Sequence, residues 1–381
     1  MSSWHLECSL CGATESAAGL PTVCPVCQRP WLVRYPGRTH GPEDRRTAAT
    51  GRGMWRFRSF LPLEPGEDPV SLGEGDTPLL AIPIWGEPIG IPGLMVKDEG
   101  TNPTGSFKSR GLAAAVTRAV AGGATSFTLP TAGNAGVAAA AYGARAGVPV
   151  RVYAPATTPA PILDQIRRFG ARLELLEGHI GDCGKASRAF AAESGAFDLS
   201  TLREPYRIEG KKTLGLELAE ALGWSLPDVI LYPTGGGTGL IGMWKVFGEL
   251  LSAGWLTGPL PRMFSVQAEG CAPVVRAFAN GADACQPWAD PVTSASGLRV
   301  PGPLGDRLML AALRESGGGA IAVSEAALSA AASGATARTG IDFSPEGGAA
   351  LAAAERLRQD GVIRPEDRVV VFNTGAGWLY R

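Results

Sequence analysis

The chain predicts an α/β fold of parallel sheets with helices on both faces, and three observations carry that prediction. From about residue 93 onward, short apolar runs of strand length alternate with longer amphipathic or alanine-rich runs of helix length. The connections are rich in glycine and proline, as loops between β-α-β units should be. Several strand ends run directly into glycine-bearing turns that open helices, which is where such folds bind ligands. At 381 residues the chain has room for about two domains and a large core.

Composition narrows the function. Thirty-five basic residues almost balance 36 acidic ones, so no overall field recruits nucleic acid or an anionic membrane, and a small-molecule partner is expected. The N-terminal MSSWHLECSLCGATES lacks a basic start followed by an apolar core, and nowhere do about 18 uninterrupted apolar residues occur. A cytoplasmic protein without a membrane partner is the expectation. Four of the seven cysteines, Cys8, Cys11, Cys24 and Cys27, form two C-x-x-C pairs separated by twelve residues. Two such turns close a tetrahedral Zn2+ site with no open position, so residues 1–35 read as a structural zinc ribbon; a metal-free remnant or a redox pair uses the same spacing. Residues 36–70 are arginine-rich and turn-rich without period and read as a linker anchored at Trp55 and Phe57.

The elements then follow in order. GLMVKDE is a strand, FKSRGLAAAVTRAVAGG a helix, TSFTLP a strand, NAGVAAAAYGARAG a helix closed by Gly147, and PVRVYAP a strand. ILDQIRRFG, ARLELLEG and GDCGKASRAFAAESG continue the alternation. It runs on through DVILYPT, a helix near GLIGMWKVFGEL, RMFSVQAE, EGGAALAAAERLRQDG and DRVVVFNT.

Four pieces carry chemistry. In LYPTGGGTGLIG a buried strand enters Gly235, Gly236, Gly237, Thr238 and Gly239 and then a helix, so backbone N–H groups and the helix dipole converge where a phosphate could sit. The turn is neither a Walker A loop nor a dinucleotide fingerprint, and close helix–strand packing alone would also need its glycines. In LPTAGNAGVAAAA, Thr131, Gly133, Asn134 and Gly136 open the alanine-rich helix; they suit a carboxylate or a planar oxygen ligand, or an ordinary N-cap. NPTGSFKSRG sets Lys108 at the start of a helix headed into the core. VVFNTGAG ends a strand on the hydroxyl of Thr374.

In that order, the lysine, asparagine turn, glycine cradle and terminal hydroxyl resemble the fold type II pyridoxal-phosphate enzymes, whose fold is tryptophan synthase β-like. SLGEGDTPLL, KDEGTNPTGSFKSRG, PYRIEGKKT and NTGAG most resemble the threonine synthase family, several members of which carry an N-terminal zinc ribbon. The resemblance implies a large domain of residues 71–107 and 205–381, a small domain of residues 108–204, and a homodimer. It implies that Lys108 holds pyridoxal 5'-phosphate as a Schiff base, with Phe107 or a neighbour packed on the ring. Asn134 would bond the phenolic oxygen, Gly235 to Gly239 would cradle the phosphate, and Thr374 would face the ring nitrogen. The turn Thr131, Ala132, Gly133, Asn134, Ala135 and Gly136 would take the substrate α-carboxylate, assisted by Ser106.

Threonine synthases convert O-phosphohomoserine to threonine, and Arg207 and Lys212 in PYRIEGKKT are the expected partners of the substrate phosphate. Two departures bear on this. Thr201 and Leu202 stand where the family commonly has Asn-Ser, and Ser109 stands where it commonly has an acid. Three reactions therefore remain open at the level of sequence: threonine synthesis, serine or threonine dehydration, and replacement on an O-phosphorylated amino acid. A reading from another class is a non-catalytic zinc-ribbon binding protein. TSASGLRVPGPLGD, residues 293–306, reads as a gating loop or an ordinary connection.

Overall fold

The computed structural model describes residues 3–381. Three short strands, β1 (His5–Cys8), β2 (Thr14–Ser16) and β3 (Trp31–Arg34), form an antiparallel ribbon in the order β2-β1-β3. The expected linker is more ordered than its composition suggests. It contains helix α1 (Pro42–Thr50) and a 3-10 turn, Met54–Phe60, that buries Met54, Phe57 and Phe60.

Strands β4 (Leu79–Ala81) and β5 (Leu94–Asp98), with the short helix α2 (Pro83–Gly86) between them, begin the main body. Helix α3 (Lys108–Ala121) leads to β6 (Phe127–Pro130), α4 (Asn134–Ala146), β7 (Val150–Pro155), α5 (Ala160–Arg168), β8 (Arg172–Leu176), α6 (Ile180–Ser194) and β9 (Phe197–Asp198). These strands form a parallel four-stranded sheet in the order β8-β7-β6-β9. The chain continues through α7 (Tyr206–Ala221), β10 (Val229–Pro233), α8 (Thr238–Ser252), β11 (Arg262–Ala268), α9 (Pro273–Ala279), α10 (Asp306–Glu315), β12 (Gly319–Val323), α11 (Glu325–Thr339), α12 (Pro345–Gln359) and β13 (Val369–Asn373). The larger sheet runs β12-β11-β10-β13-β5-β4, parallel except for the edge strand β4.

Central strands β10 and β13 are VILYP and VVVFN, buried at every position. Helices cover both faces of the sheet, so neither strand needs a polar alternate residue. The sequence pattern did not resolve β12 and α11, whose GAIAV and EAALSAAASGATART have weak amphipathic contrast. Among the described residues no helix is long and apolar enough to cross a membrane.

A buried ionic cluster fixes the start of α3. The guanidinium of Arg110, fully buried, meets Glu99 at 2.7 Å and Glu217 of α7 at 2.7 Å, while Lys97 on β5 reaches Glu217 at 2.8 Å. Opposite charges in contact offset the cost of removing each from water, and the fork geometry of arginine lets one side chain hold two carboxylates. The helix that begins at Lys108 is thereby tied to both its strand and its neighbouring helix.

Candidate functional site

A cavity of about 630 Å³ opens where the two parallel sheets meet, lined by residues from the loops of both. Lys108 lies beside Phe107, its Nζ 4.4 Å from the ring centroid. Two backbone links fasten this segment to the last strand's loop: the Phe107 N–H donates to the Thr374 carbonyl at 3.0 Å, and Ser106 bridges Gly375. Desolvation lowers the Lys108 pKa to about 7, the nearby charge of Arg207 acting in the same direction and Glu346 opposing both. A neutral amine is a nucleophile near neutral pH.

The glycine turn forms one wall. Gly237 has φ of +79°, the left-handed region, and caps α8. A Cβ on Gly235 would lie 2.1 Å from the Gly297 carbonyl oxygen, and one on Gly236 would lie 2.9 Å from Thr201. Only glycine lets the 296–304 loop close this far. Among the described residues the N–H groups of Gly235, Gly236, Gly237 and Thr238 make no hydrogen bond, leaving a row of donors at a helix N-terminus. Gly239 instead packs on the Tyr232 hydroxyl and does not line the cavity.

The opposite wall is the start of α4. Thr131 Oγ1 accepts from the N–H groups of Gly133 at 3.0 Å and Gly136 at 3.1 Å, so its hydroxyl organises the turn. The N–H groups of Ala132, Asn134 and Ala135 have no such partner, whereas that of Gly136 is engaged in the turn. Asn134 Nδ2 donates to Tyr380 at 3.2 Å, and its buried Oδ1 has no partner. Thr374 lines the remaining side. Lys108, Phe107, Thr131 to Ala135, Gly235 to Thr238 and Thr374 are therefore brought together around one space.

Four expected substrate residues, Ser106, Gly136, Arg207 and Lys212, are not among those that line the cavity. Lys212 faces away from the cavity, in contact with Glu209 at 2.7 Å and Glu249 at 2.8 Å under the ribbon residue Tyr35. Helical geometry is the reason: Arg207 and Lys211 share one face of α7, while Glu209 and Lys212 share another. Arg207 is 1 % exposed and donates through Nη1 to the Leu199 carbonyl at 2.9 Å, while its buried Nε and Nη2 have no partner and its charge acts on Lys108. Ser106 is fully buried in its bridge. Ser109 is buried too, and its hydroxyl pairs with Thr104 at 2.7 Å.

Sequence reasoning missed several lining residues. Tyr380, the penultimate residue, Glu346 at the start of α12, and Tyr232 in β10 all face the cavity. No local motif marks them; they arrive from distant parts of the chain. Burial pushes the Glu346 carboxyl up, and the Gly297 N–H donates to it at 2.7 Å. The 293–306 loop supplies Ser296 to Leu304 as a wall.

The four ribbon thiols lie within 4.8 Å of one another, a donor set suited to one tetrahedral ion. The donors around Lys108 also suit an anionic, planar group. A row of free N–H groups would meet a phosphate, the Asn134 Nδ2 at the α4 turn can donate to a ring oxygen, and an amine of lowered pKa lines the same cavity.

Comparisons with known proteins agree. The profile of the family described as "Pyridoxal-phosphate dependent enzyme" matches residues 70–375. The chain is 35 % identical over 373 residues to the threonine synthase of Methanosarcina acetivorans, covering 98 % of this chain and 91 % of that protein. It is 34 % identical over 326 residues to the threonine synthase of Methanocaldococcus jannaschii, covering 85 % and 80 %. Among solved structures, maize serine racemase superposes with a TM-score of 0.68 at 21 % identity over 79 % of this chain and 88 % of that one. The processed form of threonine deaminase isoform 2 from Solanum lycopersicum superposes with a TM-score of 0.65 at 20 % identity over 79 % and 83 %. The fold is thus fold type II, shared by enzymes of differing outcome.

Proposed function

Because the chain belongs to the pyridoxal-phosphate-dependent enzymes and, within them, to the threonine synthase family, we propose that it eliminates phosphate from O-phosphohomoserine and adds water to give threonine. The single observation that carries the reading is the low-pKa amine of Lys108 standing in one cavity with a glycine turn of free N–H groups, the Asn134 amide and Thr374.

In this reading Lys108 is the attachment point of pyridoxal 5'-phosphate. Phe107 would pack beside it, Asn134 would donate to the ring oxygen, Gly235, Gly236, Gly237 and Thr238 would cradle the phosphate, and Thr374 would serve the ring nitrogen. When bound, the cofactor supplies the electron sink that stabilises negative charge at the substrate's α-carbon. A free Lys108 amine would be the local proton carrier, and its lowered pKa suits it to give and take protons near neutrality. Thr374 offers a hydroxyl and not a carboxylate, which would not hold a ring nitrogen protonated and would favour elimination and replacement over transamination. The free N–H groups of Ala132, Asn134 and Ala135 at the α4 N-terminus would receive the substrate α-carboxylate.

The proposal extends to a structural Zn2+ on Cys8, Cys11, Cys24 and Cys27, to a homodimer and to a cytoplasmic location that keeps those thiols reduced. The test is direct. Purified protein should absorb near the visible edge, and borohydride reduction followed by peptide mapping should fix the cofactor on Lys108. Incubation with O-phosphohomoserine should release equal phosphate and threonine. Ammonia and a 2-oxo acid from threonine, with no phosphate released from O-phosphohomoserine, would assign the dehydratase reaction instead.

A further inference from the structure

The wall that closes on the glycine turn is held from outside the catalytic body. The segment from Ser296 into the first turn of α10 presses on three successive glycines. A Cβ on Gly235 would lie 2.1 Å from the Gly297 carbonyl oxygen, a Cβ on Gly305 would lie 3.5 Å from the Gly236 carbonyl oxygen, and a Cβ on Gly237 would lie 2.1 Å from Met309 Sδ. Packing this close leaves no slack, so a shift of the segment is passed to the turn. The segment is fastened near its start by the Gly297 N–H, which donates to Glu346 at 2.7 Å. Its far end is fastened at Asp306, whose carboxylate accepts from the Cys285 N–H at 2.9 Å. A further hold on that end comes from the ribbon: Arg29 Nη1 meets Asp306 at 3.2 Å and the Leu304 carbonyl at 3.5 Å.

Arg29 stands two residues after Cys27, and its backbone is part of the second cysteine turn. The Gln28 N–H donates to the Cys24 carbonyl at 2.8 Å, and the Cys24 N–H donates to the Arg29 carbonyl at 2.9 Å. Gln28 takes a φ of +58°, a left-handed conformation that costs a residue with a Cβ energy and persists where its surroundings fix it. Two thiolates of this turn on one ion would fix it, and with it the direction of the Arg29 side chain. Asp306 is buried, so losing Arg29 leaves a carboxylate short of its cation inside the protein. Among the described residues Arg29 makes the ribbon's only hydrogen bonds to this segment; the contacts of Tyr35 and Tyr206 lie on α7 instead.

We propose that Arg29 is a positioning residue for the cofactor: it transmits the state of the four-thiol ribbon to the glycine turn, so that a metal-loaded ribbon tightens binding of pyridoxal 5'-phosphate. Bound cofactor in return tightens binding of the metal, because both favour the same placing of one segment. The cofactor and metal identities rest on the proposed function, whereas the link through Arg29 is a property of the packing.

The experiment uses the full chain, as wild type and as Arg29→Met, Arg29→Lys and Tyr35→Phe, the last breaking a ribbon contact that ends on α7. The dissociation constant of pyridoxal 5'-phosphate is measured with the ribbon zinc-loaded and after chelation, and zinc affinity is measured by chelator competition with and without cofactor. In wild type each ligand should tighten the other about three- to tenfold, the scale of one partly buried ion pair, and excess cofactor still fills the site. Arg29→Met with its zinc retained should bind cofactor as weakly as chelated wild type, and chelation should weaken it no further. Arg29→Lys keeps a cation for Asp306 and should recover part of the coupling. Tyr35→Phe should lower the thermal midpoint and leave the coupling intact, which separates positioning from stability. Equal cofactor affinity in loaded and chelated wild type, or full coupling in Arg29→Met, would overturn the proposal and leave the function standing. If the protein takes up no pyridoxal 5'-phosphate or no zinc, the functional reading fails. Hydrogen exchange across residues 296–309 then decides the link: faster exchange in Arg29→Met than in Tyr35→Phe supports it, and equal exchange overturns it.

Discussion

Lys108 is where sequence and environment meet at the scale of one residue. Folding lowers its proton affinity from the ordinary 10.5 to about 7, so between those values the unfolded chain binds more protons than the folded one. Stability contributed at this position is therefore full above pH 10.5 and is lost as pH falls towards 7. Cofactor-free protein should become more stable on raising pH through this window, with a slope approaching about 1.4 kcal/mol per pH unit for one proton. Denaturant midpoints of wild type and Lys108→Met at several pH values test this. The variant should have the shallower dependence, and equal slopes would mean that the amine stays charged in the fold. Lys211, buried with its amine on the Phe107 carbonyl and 4.1 Å from the Phe107 ring centroid, adds a shift of the same sign, so some slope should survive in the variant. The identity of Lys108 was legible in NPTGSFKSRG, but the depressed pKa was not, because it comes from burial and from Arg207, about a hundred residues later.

Elements position these groups through interactions that local patterns do not announce. Helix α3 begins at Lys108 because Arg110 ties it to Glu99 and to Glu217 on α7. Arg110→Ala would leave the buried Glu99 and Glu217 with Lys97 as their one remaining cation, and a loss of about 3–5 kcal/mol in folding stability is expected in chemical denaturation. The turn between β10 and α8 is equally exacting. In Gly235→Ala the added methyl meets the Gly297 backbone at 2.1 Å, so the 296–304 loop must move. Cofactor affinity followed by fluorescence titration should fall at least about tenfold, taking the perturbed donors as worth roughly 1.5–3 kcal/mol. The strands and helices flanking these loops were readable from period and glycine placement. Lys212 was misplaced because sequence proximity to Arg207 hides the rotation of about 100° per residue that sends it to the other side of α7.

At the scale of the whole molecule, the ribbon is packed onto the catalytic body and is not an independent appendage. Tyr35 donates to Glu209 at 2.6 Å, and Tyr206 donates to the Ala17 carbonyl at 3.3 Å, so both contacts end on α7. Elemental analysis should find one zinc per chain. Cys24→Ser should lose it, with a lower thermal midpoint and the cofactor absorbance retained at low temperature; an unchanged midpoint would separate the ribbon from the stability of the body. The sequence by itself determined the alternating α/β order, the cysteine quartet, the lysine, the glycine cradle and the asparagine turn, because each depends on residue types within a few positions of one another. Only the tertiary structure decided which cations face the cavity. Arg188, Arg203 and Arg299 line it from three segments, Arg207 is buried with Nε and Nη2 unpartnered, and Lys212 is turned to Glu209 and Glu249. The physical reason is that a side chain's exposure and charge partners are set by the packing of whole elements, which spacing along the chain does not encode.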